Sequence, residues 1–373
     1  MKNKIYILFF LILFSSTILA QEHNFLQLGK MYYQQKNYNK AIEQFSKYTK
    51  EFTKESEGFY WRGITYLQLN ELIFAQGNLE HSIKLNSKND KAFNALGHLY
   101  NLKSEYTKAI SYLNKAIEIN ANNAEAFNNR GMSYYNMGNF NSAKIDFSNA
   151  IKLDSTFAAA YNNRGSASYS HQDIADANIQ DLLQAESDFV QSIYYEKNNP
   201  LAYRNLAYVR YFLEKYTEAF FDINKAIDYT PNDAIAYRIL GMIYAKIGKQ
   251  KEAILAYDKA IELKNYYADF YFERGVCLMN NQEYISAEVD FNQSILIDKE
   301  QKIKGKAYYY LAQNAAHQNQ LKECIDFLKL ANKQKLFIQQ KFLSDFNKNE
   351  VFKKFQNDNS FKEITSLIKY GKK

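Results

Sequence analysis

Residues 124–157 have the sequence AEAFNNRGMSYYNMGNFNSAKIDFSNAIKLDSTF, and much of the surrounding chain repeats this pattern. Glycine and alanine recur in it at intervals of 34 residues, in two series. Their members are Gly29, Gly63, Gly97, Gly131 and Gly165, then Ala41, Ala75, Ala109 and Ala143. The same interval separates Gly241 from Gly275. A fixed period of this length indicates an array of one repeated supersecondary unit.

Each unit has the pattern of two helices, called helix A and helix B below. In the unit that starts near residue 90, Phe93, Leu96 and Tyr100 follow one helical stripe in helix A, and Leu113 lies in helix B. The 373 residues include only 2 Pro and 13 Gly, beside 32 Tyr and 27 Phe, which favours helices with aromatic packing. One helix pair cannot bury its apolar face alone, so we expect the pairs to stack on their neighbours.

The unit resembles the tetratricopeptide repeat, whose aromatic, Gly, Tyr and Ala positions it shares. The fourth unit has Phe127, Gly131, Tyr134, Ala143, Phe147 and Ala150 at these places, and the seventh has Tyr237, Leu240, Gly241, Tyr244, Ala253, Tyr257 and Ala260. The resemblance implies an all-α fold, a right-handed α-solenoid of antiparallel helix pairs. About nine repeats are expected within residues 21–335, starting near residues 22, 56, 90, 124, 158, 200, 234, 268 and 305.

The fifth unit is longer than the others by eight residues, from about 158 to 199. Its extra residues lie around Ser170 to Gln184, and we expect them to extend the turn between helix A and helix B. Such a segment is either a tolerated loop or a contact arm.

The N-terminus has the pattern of a signal peptide. Lys2 and Lys4 precede an apolar run from Ile5 to Phe14, and small residues follow up to Ala20. This pattern predicts an exported protein of bacterial type, secreted across the inner membrane and periplasmic or on the cell surface. The mature chain would begin near Gln21 and would have no transmembrane segment. An uncleaved N-terminal anchor is the alternative.

Residues 336–373 leave the repeat pattern and are predicted to be basic capping helices. They contain Phe342, Phe346, Phe352, Phe355 and Phe361, and their lysines outnumber their acidic residues. Solenoid ends need a cap, so these phenylalanines are expected to cover the last helix pair. The excess of lysine is interpreted as a solvated face, with weak contact to an anionic surface as the alternative.

A second stripe on helix A, at repeat positions 2, 5, 9 and 12, lies opposite the packed stripe. The resemblance implies that this A-helix stripe lines a concave, partner-binding groove. Its candidate residues are amide-rich in the earlier repeats and aromatic, Met and Arg in the later ones, types that suit peptide and protein contacts. They are Asn94, Asn128, Met132, Tyr135, Asn162, Tyr169, Arg204, Tyr208, Tyr211, Arg238 and Met242. The alternative is that the asparagines are polar filler.

No arrangement of residues suggests catalysis, a metal site or a cofactor. The His residues at 23, 81, 98, 171 and 317 are dispersed, and Cys277 and Cys324 are interpreted as buried and unpaired, with a disulfide as the alternative. We therefore expect a non-catalytic scaffold that binds a protein or peptide partner and no nucleic acid. The alternatives are an envelope assembly factor, or the partner-binding subunit of a signalling complex whose catalytic part is another chain.

Four repeats have Arg where the family usually has Leu, and three of them have Asp at one position of helix B. A displaced, partly buried Arg needs a carboxylate partner, so the pattern predicts a pair inside each repeat. The predicted pairs are Arg130–Asp146, Arg164–Asp188 and Arg274–Asp290, with guanidinium–carboxylate distances near 3 Å. Arg62, the fourth, has Asn78 in place of Asp. Chance and copying of one ancestral unit are the alternative.

Overall fold

A computed structural model describes residues 24–170 and 177–370, and within these ranges the chain is helical with no β-strand. The predicted signal peptide lies outside them. The helices are α1 (residues 24–34), α2 (Tyr38–Glu51), α3 (Ser56–Gln68), α4 (Leu72–Leu85), α5 (Asp90–Leu102), α6 (Tyr106–Ile119), α7 (Ala124–Asn136), α8 (Phe140–Leu153), α9 (Ala158–Tyr169), α10 (Ile179–Tyr195), α11 (Pro200–Phe212), α12 (Tyr216–Tyr229), α13 (Ala234–Lys246), α14 (Gln250–Leu263), α15 (Ala268–Asn280), α16 (Tyr284–Ile297), α17 (Lys304–His317), α18 (Leu321–Lys333), α19 (Gln340–Lys348) and α20 (Asn359–Tyr370). Odd numbers up to α17 are A helices and even numbers up to α18 are B helices.

The helices fall into two compact units, unit 1 up to Glu196 and unit 2 from Lys197 onward. In each unit an A helix packs antiparallel on its own B helix, and that B helix packs on the next A helix. The core of unit 1 contains Leu79, Leu96 and Leu113, and that of unit 2 contains Ile223, Ile243 and Tyr257, all almost fully buried. The predicted all-α solenoid of antiparallel helix pairs is confirmed.

Local sequence signals set the helix ends. An Asn or Asp caps several A helices, as where the Asn123 side chain accepts a hydrogen bond from the backbone N–H of Ala126 at 2.9 Å. Outside the fifth repeat, the turn from helix A to helix B contains one residue with positive φ, such as Gly138 at 77° or Ser104 at 58°. This left-handed residue ends helix A and turns the chain back along it.

The A and B helices approach closely at the periodic glycines. A β-carbon on Gly131 would lie 2.7 Å from a ring carbon of Phe147. A β-carbon on Gly97 would lie 2.3 Å from the Cγ atom of Leu113. Phe147 and Leu113 are fully buried, so their side chains have no free space to move into. Glycine is needed here for close packing of helix A on helix B.

The elongated fifth repeat differs from the expectation in one respect. Helix α9 ends at Tyr169 and α10 begins at Ile179, so residues 179–184 of the extra segment are helical and do not form a turn. The amide of Asn178 accepts from the backbone N–H of Gln180 at 3.0 Å and caps the longer helix. The insertion therefore lengthens helix B by about one turn and also lengthens the connection before it. Residues 171–176 of that connection lie outside the described ranges.

The C-terminal residues cover the last helix pair, as predicted. Phe337, Phe346, Phe352 and Phe361 are buried against Tyr309 of α17 and Leu328 of α18. The Tyr309 hydroxyl donates to Asp345 at 2.6 Å, and the Lys354 ammonium donates to the backbone carbonyl of Ala316 at 3.0 Å. This carbonyl also accepts from the backbone N–H of Asn319 at 3.1 Å, so the ammonium is a second donor at the C-terminal end of α17, where a positive charge is favourable.

The predicted Arg–Asp pairs are confirmed. Each guanidinium binds its Asp through Nε and Nη2 at 2.7 to 2.9 Å, for Arg130–Asp146, Arg164–Asp188 and Arg274–Asp290. The Nη1 atom of each Arg also donates to the preceding B helix, a contact that was not predicted. The acceptors are Asn114, Ser148 and Asp258, respectively. Each Arg therefore joins its own repeat to the one before it.

Candidate functional site

The A helices of unit 1 form a polar pocket of about 400 Å³. Residues from α1, α3, α5 and α7 line it, together with Phe157, which precedes α9. Two predicted site residues, Asn94 and Asn128, lie in this lining. The other lining residues are Tyr33, Tyr60, Ile64, Leu67, Gln68, Lys91, Ala95, His98, Glu125 and Asn129.

The asparagines of this pocket bond to each other from one repeat to the next. Asn129 donates to the side-chain oxygen of Asn94 at 2.8 Å, and Asn163 donates to that of Asn128 at 3.0 Å. Asn94, Asn128 and Asn162 are buried, with at most 8% of each residue exposed. The amides are therefore more than polar filler on a solvated face, since two of them join successive A helices through hydrogen bonds.

The A helices of unit 2 form a second, more apolar pocket of about 350 Å³. Tyr211 and Met242, both predicted site residues, lie in its lining with Phe272, Val276 and Tyr310. Its remaining lining residues are Ala245, Lys246, Gln250, Tyr257, Glu273, Cys277 and Asn280.

A charged pair borders this second pocket. The guanidinium of Arg238, another predicted residue, donates to both carboxylate oxygens of Glu273, at 2.6 and 2.9 Å. The charge of Glu273, with a lesser contribution from Asp269, raises the pKa of Arg238 against the effect of burial. Arg238 is thus held by its own chain, and its charge is offset by a neighbouring carboxylate.

The remaining predicted residues lie outside the linings of both pockets. The guanidinium of Arg204 binds Asp233, the residue that caps α13, at 2.7 Å. Met132 and Tyr135 pack on Phe147, and the Tyr135 hydroxyl is 3.0 Å from the hydroxyl of Ser170. Tyr208 packs in the core of unit 2, and Tyr169 is half-buried at the end of α9. Whether any of them contacts a partner stays a prediction.

Some pocket residues were missed, although the pattern contains the signal for several. Positions 5 and 9 of the A-helix stripe, extended to the second, third and eighth repeats, give Tyr60, His98 and Phe272. Glu273 and Gln250 lie off that stripe. Gln250 belongs to a B helix, so no A-helix pattern could have found it.

The cysteines are buried and unpaired, as predicted. Burial raises the pKa of Cys277 and that of Cys324 to about 12, so both thiols stay protonated near neutral pH. Across residues 24–170 and 177–370, no group of three or more His, Cys, Asp or Glu side chains could hold a metal ion. In the same ranges no helix is both long and apolar enough to cross a membrane.

Comparison with known families supports the resemblance. Models described as tetratricopeptide repeat match residues 24–54 and 124–157, and one described as TPR repeat matches residues 97–138 and 241–282. The matched segments lie in both units and coincide with A and B helices. The matches support the resemblance to the tetratricopeptide repeat over these segments. No protein among those with curated functions matches the chain.

Several solved structures are similar to the chain, and the one with a TM-score of 0.50 agrees on the fold. A tetratricopeptide repeat protein from Parabacteroides merdae is 18% identical, with a TM-score of 0.50, over 68% of this chain and 96% of that chain. Pseudomonas aeruginosa PilF is 16% identical with a TM-score of 0.48, over 62% and 96%. MamA is 25% identical with a TM-score of 0.39, over 45% and 94%.

Proposed function

We propose that the chain is a non-catalytic scaffold that binds a protein or peptide partner along its A helices. The supporting observation is that successive A helices form a pocket in each unit, lined by predicted residues such as Asn94 and Met242. Aromatic, Met and amide side chains line these concavities, and such side chains are common in protein interfaces. The A-helix stripe is therefore the surface on which a partner is expected.

Site-specific photocrosslinking in cells of the native host tests this proposal. The crosslinker replaces His98 or Lys246, which are exposed residues of the two pocket linings, so folding is expected to be kept. Controls replace the exposed residues Lys152, at the end of α8, and Asn265, in a turn. We expect a discrete adduct with another protein from the pocket positions alone. Adducts of equal yield from the controls, or from the controls only, would contradict it.

A second candidate function is an assembly factor that bridges two proteins. Phe221, Leu255 and Val289 hold the same position on the successive B helices α12, α14 and α16. They are 60%, 67% and 63% exposed, so unit 2 presents a row of apolar side chains on a surface formed by B helices. A crosslinker at Leu255 distinguishes the two functions. An adduct with a second, different protein supports the bridge, and its absence favours the simple scaffold.

We also propose that residues 1–20 direct export, which would place the mature protein in the periplasm or on the cell surface. The charged start and short apolar run of the sequence support this. N-terminal sequencing of the protein from its host should find a start near Gln21. Protein that retains Met1 in the cytoplasm would reject the proposal.

A further inference from the structure

The carboxylate of Glu125 lies at the end of a chain of two amides, of which Asn94 is buried and Asn129 is half-buried. Asn129 donates to Asn94 at 2.8 Å, and Asn94 donates to the Oε2 atom of Glu125 at 3.1 Å. Asn94 is 7% exposed, so its amide has little freedom to move, whereas Glu125 is exposed in the lining of the unit 1 pocket. The amide chain therefore fixes a solvent-facing carboxylate at the pocket.

No Lys, Arg or His forms an ion pair with Glu125 within the ranges that the structure describes. The unit 2 pocket differs, because there Arg238 binds both oxygens of Glu273. Asn94 is a neutral donor to one oxygen only, so within the described residues Glu125 has no salt-bridge partner and its Oε1 atom accepts no hydrogen bond. A bound cation would supply what Arg238 supplies in the other pocket.

Aromatic rings lie near this carboxylate. Tyr33, Tyr60 and Phe157 line the same pocket as Glu125. Burial raises the pKa of Tyr33 and of Tyr60, and the nearby charge of Glu125 adds to both increases. Both phenols therefore stay neutral, and neutral rings attract cations through their π faces.

We propose that the unit 1 pocket binds the basic side chain of a lysine or arginine in the partner. The ammonium or guanidinium group would bind Glu125, and the aliphatic stem would lie against Tyr33 and Tyr60. This inference rests on the proposed function, since it names the kind of partner that the A helices accept. The pocket volume, about 400 Å³, is enough for one long side chain with its adjoining backbone.

Lys91 supplies an internal test, because it lies in the same lining and is exposed. The positive charge of Lys91 repels a bound cation, whereas the negative charge of Glu125 attracts it. Neutralising Glu125 and neutralising Lys91 should therefore change the affinity in opposite directions. A pocket that binds peptides without regard to charge would not show this sign reversal.

The experiment titrates the full chain with three blocked tripeptides, acetyl-Ala-X-Ala-amide, in which X is lysine, norleucine or glutamate. Trp61, the only tryptophan in the chain, reports binding by its fluorescence. Its ring centroid lies 5.5 Å from that of Tyr33 and 5.6 Å from that of Tyr60. We expect the lysine peptide to bind at least about tenfold more tightly than the other two, with a Kd in the millimolar range.

Glu125→Gln should weaken binding of the lysine peptide about tenfold, and Lys91→Gln should strengthen it about threefold. Glu118→Gln is the matched control, since it removes an exposed carboxylate outside the pocket and should leave affinity unchanged. The inference is overturned if Glu125→Gln has no effect, if norleucine binds as well as lysine, or if no peptide changes Trp61 fluorescence at about 10 mM.

These outcomes separate the inference from the proposed function. Crosslinks from His98 without any preference for the lysine peptide would leave the scaffold standing and reject the basic partner. A preference for lysine that is lost in Glu125→Gln supports the inference directly. Absence of crosslinks from both pocket positions counts against the scaffold itself.

Discussion

The guanidinium of Arg130 links three helices through three hydrogen bonds. It lies on α7, binds both oxygens of Asp146 on α8, and donates to Asn114 on α6. The bonds to Asp146 raise the pKa of Arg130, so the group is charged at every ordinary pH. The Asp146 side chain is only 3% exposed, and an unpaired carboxylate in such a place is costly.

Arg130→Leu should lower the free energy of unfolding by about 3 kcal/mol, because it leaves Asp146 buried without a cation. The double variant Arg130→Leu/Asp146→Ala copies the seventh repeat, which has Leu240 and Ala256 at these positions. We expect the double variant to be less destabilised than the sum of the two single variants. Urea denaturation of the three variants and the parent chain measures this.

The control is Glu118→Ala, which breaks the exposed pair with Lys115 and should cost less than about 0.5 kcal/mol. Strict additivity of the Arg130 and Asp146 changes would mean that the two residues do not interact in solution.

Comparing repeats was enough to predict these pairs, since Arg on helix A and Asp on helix B occur together. The bond to the preceding repeat was not predictable in this way, because its acceptors are three different residue types, Asn114, Ser148 and Asp258. Asp222 shows a further limit. Its own repeat has Leu206 in place of Arg, and its carboxylate binds Arg210, one turn farther along α11.

At the scale of the helix pair, the glycine of helix A decides how closely helix B packs. Gly131 faces the ring of Phe147, which is fully buried and cannot retreat. Gly77 differs, because a β-carbon added to it on α4 would meet no neighbouring group within 4 Å. Replacing each glycine by alanine therefore separates the effect of close packing, at Gly131, from the effect of helix propensity, at Gly77.

Gly131→Ala should destabilise the chain by about 1–3 kcal/mol, since the added methyl overpacks the A–B contact. Gly77→Ala should stabilise it by up to about 1 kcal/mol, because alanine is the better helix former. Thermal or urea unfolding followed by circular dichroism would show the two changes. A stabilising Gly131→Ala would refute the close-packing role that its period indicates.

Period and spacing predicted the helix pairs well, because every regular repeat has the same buried positions. They failed at residues 179–184, where the period is interrupted and the local sequence decides. Leu182 continues the buried stripe of α10, and Asn178 supplies a cap before it, so that segment is helical. The candidate pockets were predicted in part, since Asn94 and Met242 follow the stripe whereas Gln250 does not.

At the scale of the whole molecule, stability is expected to be local, because helix pairs contact mainly their neighbours. Unit 2 ends in the C-terminal cap, where Phe352 packs among Tyr309, Phe346 and Phe361. Unit 1 contains Trp61, the only tryptophan. Tryptophan fluorescence therefore follows unit 1, whereas the helical signal follows the helices of both units.

Phe352→Ala should destabilise the cap and its neighbouring helices by about 3–5 kcal/mol, because Phe352 is 4% exposed and leaves a cavity. On heating, part of the helical signal should be lost at a lower temperature than in the parent, while the Trp61 transition shifts less. Phe342→Ala, at a half-buried position of the same cap, is the control with a smaller expected effect. Equal shifts of both signals would show that the whole chain unfolds as one cooperative unit.

The contact between each arginine and the preceding repeat affects whether the gene of this chain can gain or lose whole repeats. Arg130 and Arg164 each reach an acceptor located 16 residues earlier, Asn114 and Ser148. Loss of one 34-residue copy, such as residues 124–157, would place Arg164 opposite Asn114, which accepts a hydrogen bond as Ser148 does. Unequal recombination that removes or adds one whole copy keeps the reading frame, and it also keeps a hydrogen-bond acceptor for this arginine at the new junction.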